Sequence, residues 1–221
     1  MQKVAIIHTS AVSLEELKGL FKEILPEVEV INIIDDSLLE EVKKNDGLTS
    51  AIIGRMCTYV QVAEKLGVDL IFNQCSSVGE AAEIAKKCVS VPLLRVDEAM
   101  AEEACALGSK IGVIATVKST MRPSCNLIKQ KAELINKKVE VNEFLVDGAL
   151  DILMKEKNLV KHNELVLDAI KTAAKTNDVI VLAQGSMTAI LPYITGVDKP
   201  VLTSPRLGVL KAKELLKKGA A

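Results

Sequence analysis

Short β-rich apolar runs alternate along the chain with longer stretches whose apolar positions recur every three or four residues. The runs Val4–Ile7, Val28–Ile34, Leu70–Phe72 and Val91–Leu94 predict strands in the first half. Ile111–Ala115, Val139–Val146, Val179–Leu182 and Val201–Leu202 predict strands in the second half. Between them, Leu14–Leu25, Ala81–Lys87, Leu127–Ile135 and Glu164–Ala174 have the spacing of amphipathic helices. Two helix starts carry a capping-box signature, Ser followed three residues later by Glu: Ser13 with Glu16, and Ser77 with Glu80. Strands that alternate with helices imply an α/β fold with parallel sheets covered on both faces.

The pattern repeats with a period of about half the chain. Lys3-Val-Ala-Ile-Ile-His-Thr-Ser10 is similar to Lys110-Ile-Gly-Val-Ile-Ala-Thr-Val117, and Val28-Glu-Val30 returns as Val139-Glu-Val141. Asp69-Leu-Ile-Phe-Asn-Gln-Cys-Ser-Ser77 lines up with Asp178-Val-Ile-Val-Leu-Ala-Gln-Gly-Ser186, which sets Cys75 against Gln184. Each copy then reaches a strand that contains or follows a proline, Pro92 and Pro200. Four matches in one order predict two pseudo-symmetric α/β lobes, each a parallel sheet flanked by helices. The expected boundaries are residues 1–96, residues 97–205, and a C-terminal helix over 206–221 that packs back toward the first lobe. Ligands of open α/β sheets bind beyond the carboxyl ends of the strands. The expected active-site cleft therefore lies between the lobes, among the segments His8–Ser10, Cys75–Ser77, Thr116–Thr120 and Gln184–Ser186.

Composition narrows the function. The chain has 221 residues, 49% of them apolar, enough to build two cores. Its 28 basic and 29 acidic residues nearly cancel, so electrostatics makes no case for nucleic acid or an anionic membrane as partner. With three Phe, two Tyr and no Trp, base-stacking platforms and aromatic cages are not expected. No apolar run nears the ~20 residues of a membrane span. The Met1–Ser10 start lacks the longer apolar segment and cleavage site of a signal peptide, so a cytoplasmic protein is expected. Phosphate-binding glycine motifs are missing as well.

Five cysteines, at 57, 75, 88, 105 and 125, include no C-x-x-C pair, and the only histidines are His8 and His162. Neither a metal site nor a disulfide framework is expected from such spacing. Cys57, Cys88, Cys105 and Cys125 fall in helical patterns and read as reduced packing residues. Cys75 differs, since it follows an apolar strand and precedes a capped helix. A thiol at a helix N-terminus feels the positive end of the helix dipole, which favours thiolate. The backbone N–H groups of that turn, with Ser76 and Ser77, suit a carboxylate or oxyanion. The plainer alternative is a small residue at a crowded strand end, followed by Ser77 as a cap.

These residues resemble the aspartate/glutamate/hydantoin racemase superfamily. The resemblance covers nearly the whole chain. It rests on Asn73-Gln-Cys75-Ser-Ser77, on Ile111-Gly-Val-Ile-Ala-Thr116 with Ser119 and Thr120, and on Val179-Ile-Val-Leu-Ala-Gln-Gly-Ser-Met187. It implies two pseudo-symmetric lobes, no cofactor, and a pair of cysteines, one per lobe, on opposite faces of a substrate's α-carbon. Cys75 matches the first cysteine. Ser76, Ser77, Thr116 and Thr120 match the neighbourhood that holds the substrate's carboxylate. The second cysteine is expected where Gln184 stands. An amide donates and accepts hydrogen bonds but is no general base near neutral pH.

Three readings follow from that departure. Another group replaces the missing cysteine, with His8, at the end of the first strand, as the candidate shuttle. Alternatively one thiol suffices, as the resemblance to a malonate-type decarboxylase or a maleate-type cis-trans isomerase implies. In a third reading, from a different class, the lobes bind a small carboxylate without turning it over. The leading expectation is an isomerase acting at the carbon next to a carboxylate, with Cys75 as acid/base. Thr9, Ser10, Ser76, Ser77, Thr116, Thr120, Gly185 and Ser186 are expected to hold that carboxylate and Gln184 to orient a polar group. Arg55 and Arg206 are candidates for a second carboxylate, Arg206 because it follows the last strand. His162 reads as a helix-surface or packing residue. The resemblance also implies a homodimer.

Overall fold

The computed structural model describes residues 1–219, which form two compact units: Met1–Glu98 with the segment from Pro205 on, and Ala99–Ser204. In the first unit the strands are β1 (Lys3–His8), β2 (Glu29–Ile34), β3 (Leu70–Asn73) and β4 (Leu93–Arg95). Helices α1 (Leu14–Ile24), α2 (Leu38–Lys44), α3 (Ser50–Lys65) and α4 (Gly79–Ala85) connect them. All strand pairs are parallel, in the order β2-β1-β3-β4.

Side-chain alternation along these strands splits the core in two. Val4, Ile6, Leu70 and Phe72 pack with Leu17, Phe21 and Ile24 of α1 and with Val209 and Ala212 downstream. Ala5, Ile7 and Ile71 pack on the other face with Ile52, Met56 and Val60 of α3 and Ala81, Ala82 and Ala85 of α4. The α3 residues recur at four-residue spacing, the seam of an amphipathic helix.

The second unit repeats the plan. It holds most of α5 (Glu98–Leu107), then β5 (Lys110–Ala115), α6 (Lys118–Leu134), β6 (Glu140–Leu145), α7 (Ala149–Met154), α8 (Leu159–Ala174), β7 (Val179–Leu182) and β8 (Val201–Thr203). Its parallel order is β6-β5-β7-β8. Ile114, Ile180 and Leu182 form one core face with Val166, Ile170 and Ala173 of α8. The last helix, α9 (Ser204–Gly219), belongs almost wholly to the first unit. There Gln2 Nε2 donates to the Leu216 carbonyl and Lys213 Nζ to the Ile24 carbonyl. Among the described residues no helix is long and apolar enough to cross a membrane.

Both sheets are anchored in the same way at their lower ends. Asp69 Oδ2 accepts from the Lys3 backbone N–H at 2.7 Å, and Asp178 Oδ2 accepts from Ser109 and Lys110 at 2.9 and 2.8 Å. The repeat thus extends to side chains that tie the third strand of each sheet to the first.

The capping boxes are the main correction to the sequence reading. Ser13 does precede α1, but its hydroxyl makes no cap. It accepts from Gln74 Nε2 at 2.8 Å, so the tertiary partner outcompetes the local one. Ser77 precedes α4 by two residues and lies inside a 3₁₀ turn, Ser76–Val78; Val78 holds the N-cap position. Side chains do cap α3, where Thr49 accepts from the Ile52 N–H, and α8, where Asn158 accepts from the Lys161 N–H.

Candidate active site

Cys75 stands two residues past Asn73, the last residue of β3, and is half-buried against the α3/α4 core. Its extended backbone (φ −115°, ψ 120°) turns the chain from strand into the 3₁₀ segment Ser76–Val78. The Cys75 carbonyl accepts from Asn73 Nδ2 at 3.0 Å and from the Val78 N–H at 3.3 Å, which fixes the turn. Ser76 and Ser77 are buried directly after it. The capped helix expected behind the thiol is preceded by a 3₁₀ turn, which leads to a seven-residue helix. A macrodipole grows from aligned turns, and the segment behind Cys75 supplies few of them.

A buried ion pair lies beside this turn. Arg95, at the end of β4, donates from Nε and Nη2 to the two carboxylate oxygens of Asp97 at 3.0 and 2.9 Å, and both side chains are nearly inaccessible. Burial opposes the charge, but Asp97 raises the guanidinium pKa above its ordinary value. The guanidinium lies against Gly79, the first residue of α4, where a Cβ would overlap it. Sequence reasoning missed this pair. Its signal was available: a charged residue ending the apolar run Val91–Leu94, with an acid two positions on.

In the second unit Gln184 also stands two residues past the last residue of its strand, Leu182 of β7. Its backbone is extended too (φ −134°, ψ 136°) and leads into a 3₁₀ segment, Gly185–Tyr193. The Gln184 carbonyl accepts from the Met187 N–H at 3.1 Å, as the Cys75 carbonyl does from Val78. Gln184 Oε1 accepts from the Thr116 N–H at 2.6 Å and from Thr116 Oγ1 at 3.1 Å. The amide oxygen is thereby committed to Thr116, and the amide NH₂ is the donor that remains. Thr116 and Thr120 are buried, whereas Gly185 and Ser186 are partly open.

His8 is fully buried and turned to the α1 side of its sheet, with Ile6, away from the core face on which Cys75 packs. Its Nε2 meets Asn32 Oδ1 at 2.9 Å. Burial, the larger influence, lowers its pKa below the ordinary 6.5, and the Asn32 bond only partly counters it. Thr9 is buried and Ser10 partly open just beyond the same strand. Arg206 is paired at the surface: its Nη2 donates to both carboxylate oxygens of Glu23, at 2.9 and 2.7 Å, and it is largely exposed. Arg55 is likewise engaged, with Asp35, Ser37 and Glu41. His162 is a packing residue, buried in α8 with Nδ1 bonded to Asn163.

The other cysteines separate by environment. Burial, followed by the Glu143 carboxylate, pushes the Cys125 thiol up to about 12, and burial raises Cys105 as well. Cys88 is exposed, against the expectation that it packs in a core. Among the described residues no three metal-ligating side chains cluster.

With the geometry in place, the comparisons decide the family. The sequence profile described as Asp/Glu/Hydantoin racemase matches residues 7–212. The chain belongs to this racemase family. Membership makes it an enzyme of the isomerase class. No curated protein matches the racemase-family chain in sequence. Solved structures share its fold. A glutamate racemase from Francisella tularensis in complex with D-glutamate superposes with a TM-score of 0.75 at 14% identity, covering 99% of this chain and 82% of that one. An allantoin racemase from Klebsiella pneumoniae gives 0.73 at 15% identity, covering 99% and 89%. An aspartate racemase from Picrophilus torridus gives 0.70 at 16% identity, covering 100% and 95%.

Proposed function

We propose that this racemase-family enzyme moves a proton at the carbon next to a carboxylate in a small amino acid or related acid, with Cys75 as the acid/base. What supports this most is the position of Cys75. It is a half-buried thiol at the carboxyl end of a central parallel strand, in a turn fixed by Asn73 and followed by two buried hydroxyls. The thiolate accepts the α-proton, the electrons pass into the carboxylate as an enediolate, and hydrogen-bond donors stabilise that charge. Ser76 and Ser77, with backbone N–H groups of their turn, are the donors nearest Cys75 in sequence. Thr116 and Thr120 keep the carboxylate-holding roles that the resemblance implies, and Thr9, Ser10, Gly185 and Ser186 those suggested by their places beyond the strand ends. His8, Arg55 and Arg206 are left out: alternation turns His8 to the α1 side of its sheet, and both arginines are held by carboxylates. A cytoplasmic homodimer goes with this reading, and sedimentation tests the dimer.

A second reading is favoured by one observation: Gln184, committed to Thr116, offers a donor and no exchangeable base. Chemistry that needs one acid then fits, such as protonation of the enediolate left by decarboxylation of a substituted malonate. Both readings are tested together. The enzyme is incubated in deuterated water with a panel of amino acids, hydantoins and substituted malonates, and products are resolved by chiral chromatography and mass spectrometry. α-Deuterium with inversion establishes racemisation. Deuterium with loss of carbon dioxide establishes the one-acid reaction. Binding without exchange, unchanged in Cys75→Ala, overturns both.

A further inference from the structure

Asn73 is a fully buried amide at the carboxyl end of the central strand β3. By strand alternation it faces the side of Ile71, the α3/α4 side on which Cys75 also packs. Its Nδ2 donates to the Cys75 carbonyl at 3.0 Å, while its Oδ1 is buried without a hydrogen-bond partner. A buried polar atom left unpaired costs stability. The second unit shows that folding does not demand that cost. There Leu182 takes the register position of Asn73: Ile7 pairs with Asn73, and Ile114 with Leu182. The turn after Leu182 closes nonetheless, with a similarly extended backbone and the Met187 N–H on the Gln184 carbonyl at 3.1 Å. Leucine at this position suffices for the strand and for the turn.

The copies differ in the residue two places on. Gln184 is held by its own side chain, through the two bonds from Thr116. A thiol is a weak donor and a weak acceptor and is poorly held that way. Its backbone is held instead. We propose that Asn73 is a positioning residue for the Cys75 chemistry, its amide clamping the peptide between Cys75 and Ser76. This rests on the acid/base reading of Cys75. The clamp fixes two directions at once. Pinning the Cys75 carbonyl sets ψ of Cys75, and so the angle between the Cβ–Sγ arm and the peptide that follows. Because that peptide is planar and trans, the Ser76 N–H points to the side opposite the Asn73 amide. One side chain thereby aims both the thiol and a backbone donor for the enediolate, and the unpaired Oδ1 is the stability given up for it.

The test uses iodoacetate, a small acid whose reactive carbon lies next to its carboxylate. Carboxymethylation at each cysteine of the full chain is followed by mass spectrometry. In Asn73→Leu the rate at Cys75 is expected to fall about tenfold or more, within the ~10²-fold that a 1 Å misplacement costs. The rate at the exposed Cys88 is expected to stay as in the parent. The melting temperature is expected to hold or rise, since leucine leaves no unpaired amide oxygen. Asn73→Ala, which adds no atoms to the core, carries the same expectation for Cys75 should leucine not be accommodated. A parent-like or faster rate at Cys75 in a folded variant overturns the proposal, and so does an equal fall at Cys88. A substrate found with the panel above separates this failure from that of the catalytic reading. α-Exchange that survives Cys75→Ala overturns that reading. Exchange lost in Cys75→Ala but kept in Asn73→Leu overturns only the role of Asn73.

Discussion

Cys75 and Gln184 occupy the same position in two copies of one sheet. In the first sheet Ile7 pairs with Asn73, and Cys75 lies two residues on; in the second Ile114 pairs with Leu182, and Gln184 lies two residues on. Both leave the strand extended and enter a 3₁₀ turn. This equivalence yields a prediction. Gln184→Cys places a thiol beside the two Thr116 donors that now hold the amide oxygen. The variant is expected to gain or raise racemisation over the unsubstituted enzyme, measured by loss of optical rotation. A folded variant with no gain counts against the correspondence.

The contact between Gly79 and Arg95 sets a stability prediction. Gly79→Ala must displace a buried guanidinium, since the added Cβ would overlap it, and overpacking of this kind costs about 1–3 kcal/mol. Arg95→Ala leaves the Asp97 carboxylate buried and unpaired, at a cost of about 3–5 kcal/mol. The two costs are expected not to add, because Arg95→Ala removes what the alanine collides with. Urea unfolding of both single variants and the double variant measures the coupling. Strict additivity contradicts the packing described.

Much of this was legible before the structure. The central strands β1, β3, β5 and β7 follow from continuous apolar runs, because strands buried on both faces need them, while the edge strands β2 and β6 read from runs that alternate with polar residues. The repeat anticipated two lobes and the pairing of Cys75 with Gln184. What escaped were features settled by tertiary competition. Ser13 reads as a cap until Gln74 takes its hydroxyl, and Arg206 reads as a cleft residue until Glu23 binds it. His8 ends the right strand, but alternation turns it to the other side of the sheet.

His8 predicts a pH dependence. Burial holds its folded pKa below 6.5, so the unfolded chain takes up a proton that the folded chain resists. Stability is full above 6.5 and falls as the pH drops from there toward the folded value, below which this contribution levels off. Denaturant midpoints across that window are expected to decline for the unsubstituted protein. They decline less for His8→Gln. Equal declines contradict the buried neutral imidazole.

Asp178 acts at more acid pH. Hydrogen bonds from the Lys110 and Ser109 backbone hold its carboxyl below the ordinary 3.8. Its contribution is present above that value and is lost as pH falls through the folded value. Asp178→Asn is expected to flatten the acid side of the stability profile. An unchanged profile argues against the anchor.

Cys75 carries the central claim, and α-deuterium exchange measures it most directly. Once a substrate has been found, the rate of α-proton exchange in deuterated water is compared between the unsubstituted enzyme and Cys75→Ala. Both must bind that substrate and melt alike. The thiol is expected to account for a factor of about 10²–10⁴ in exchange, the usual worth of a positioned acid or base. An alanine variant that exchanges as fast as the parent contradicts the account.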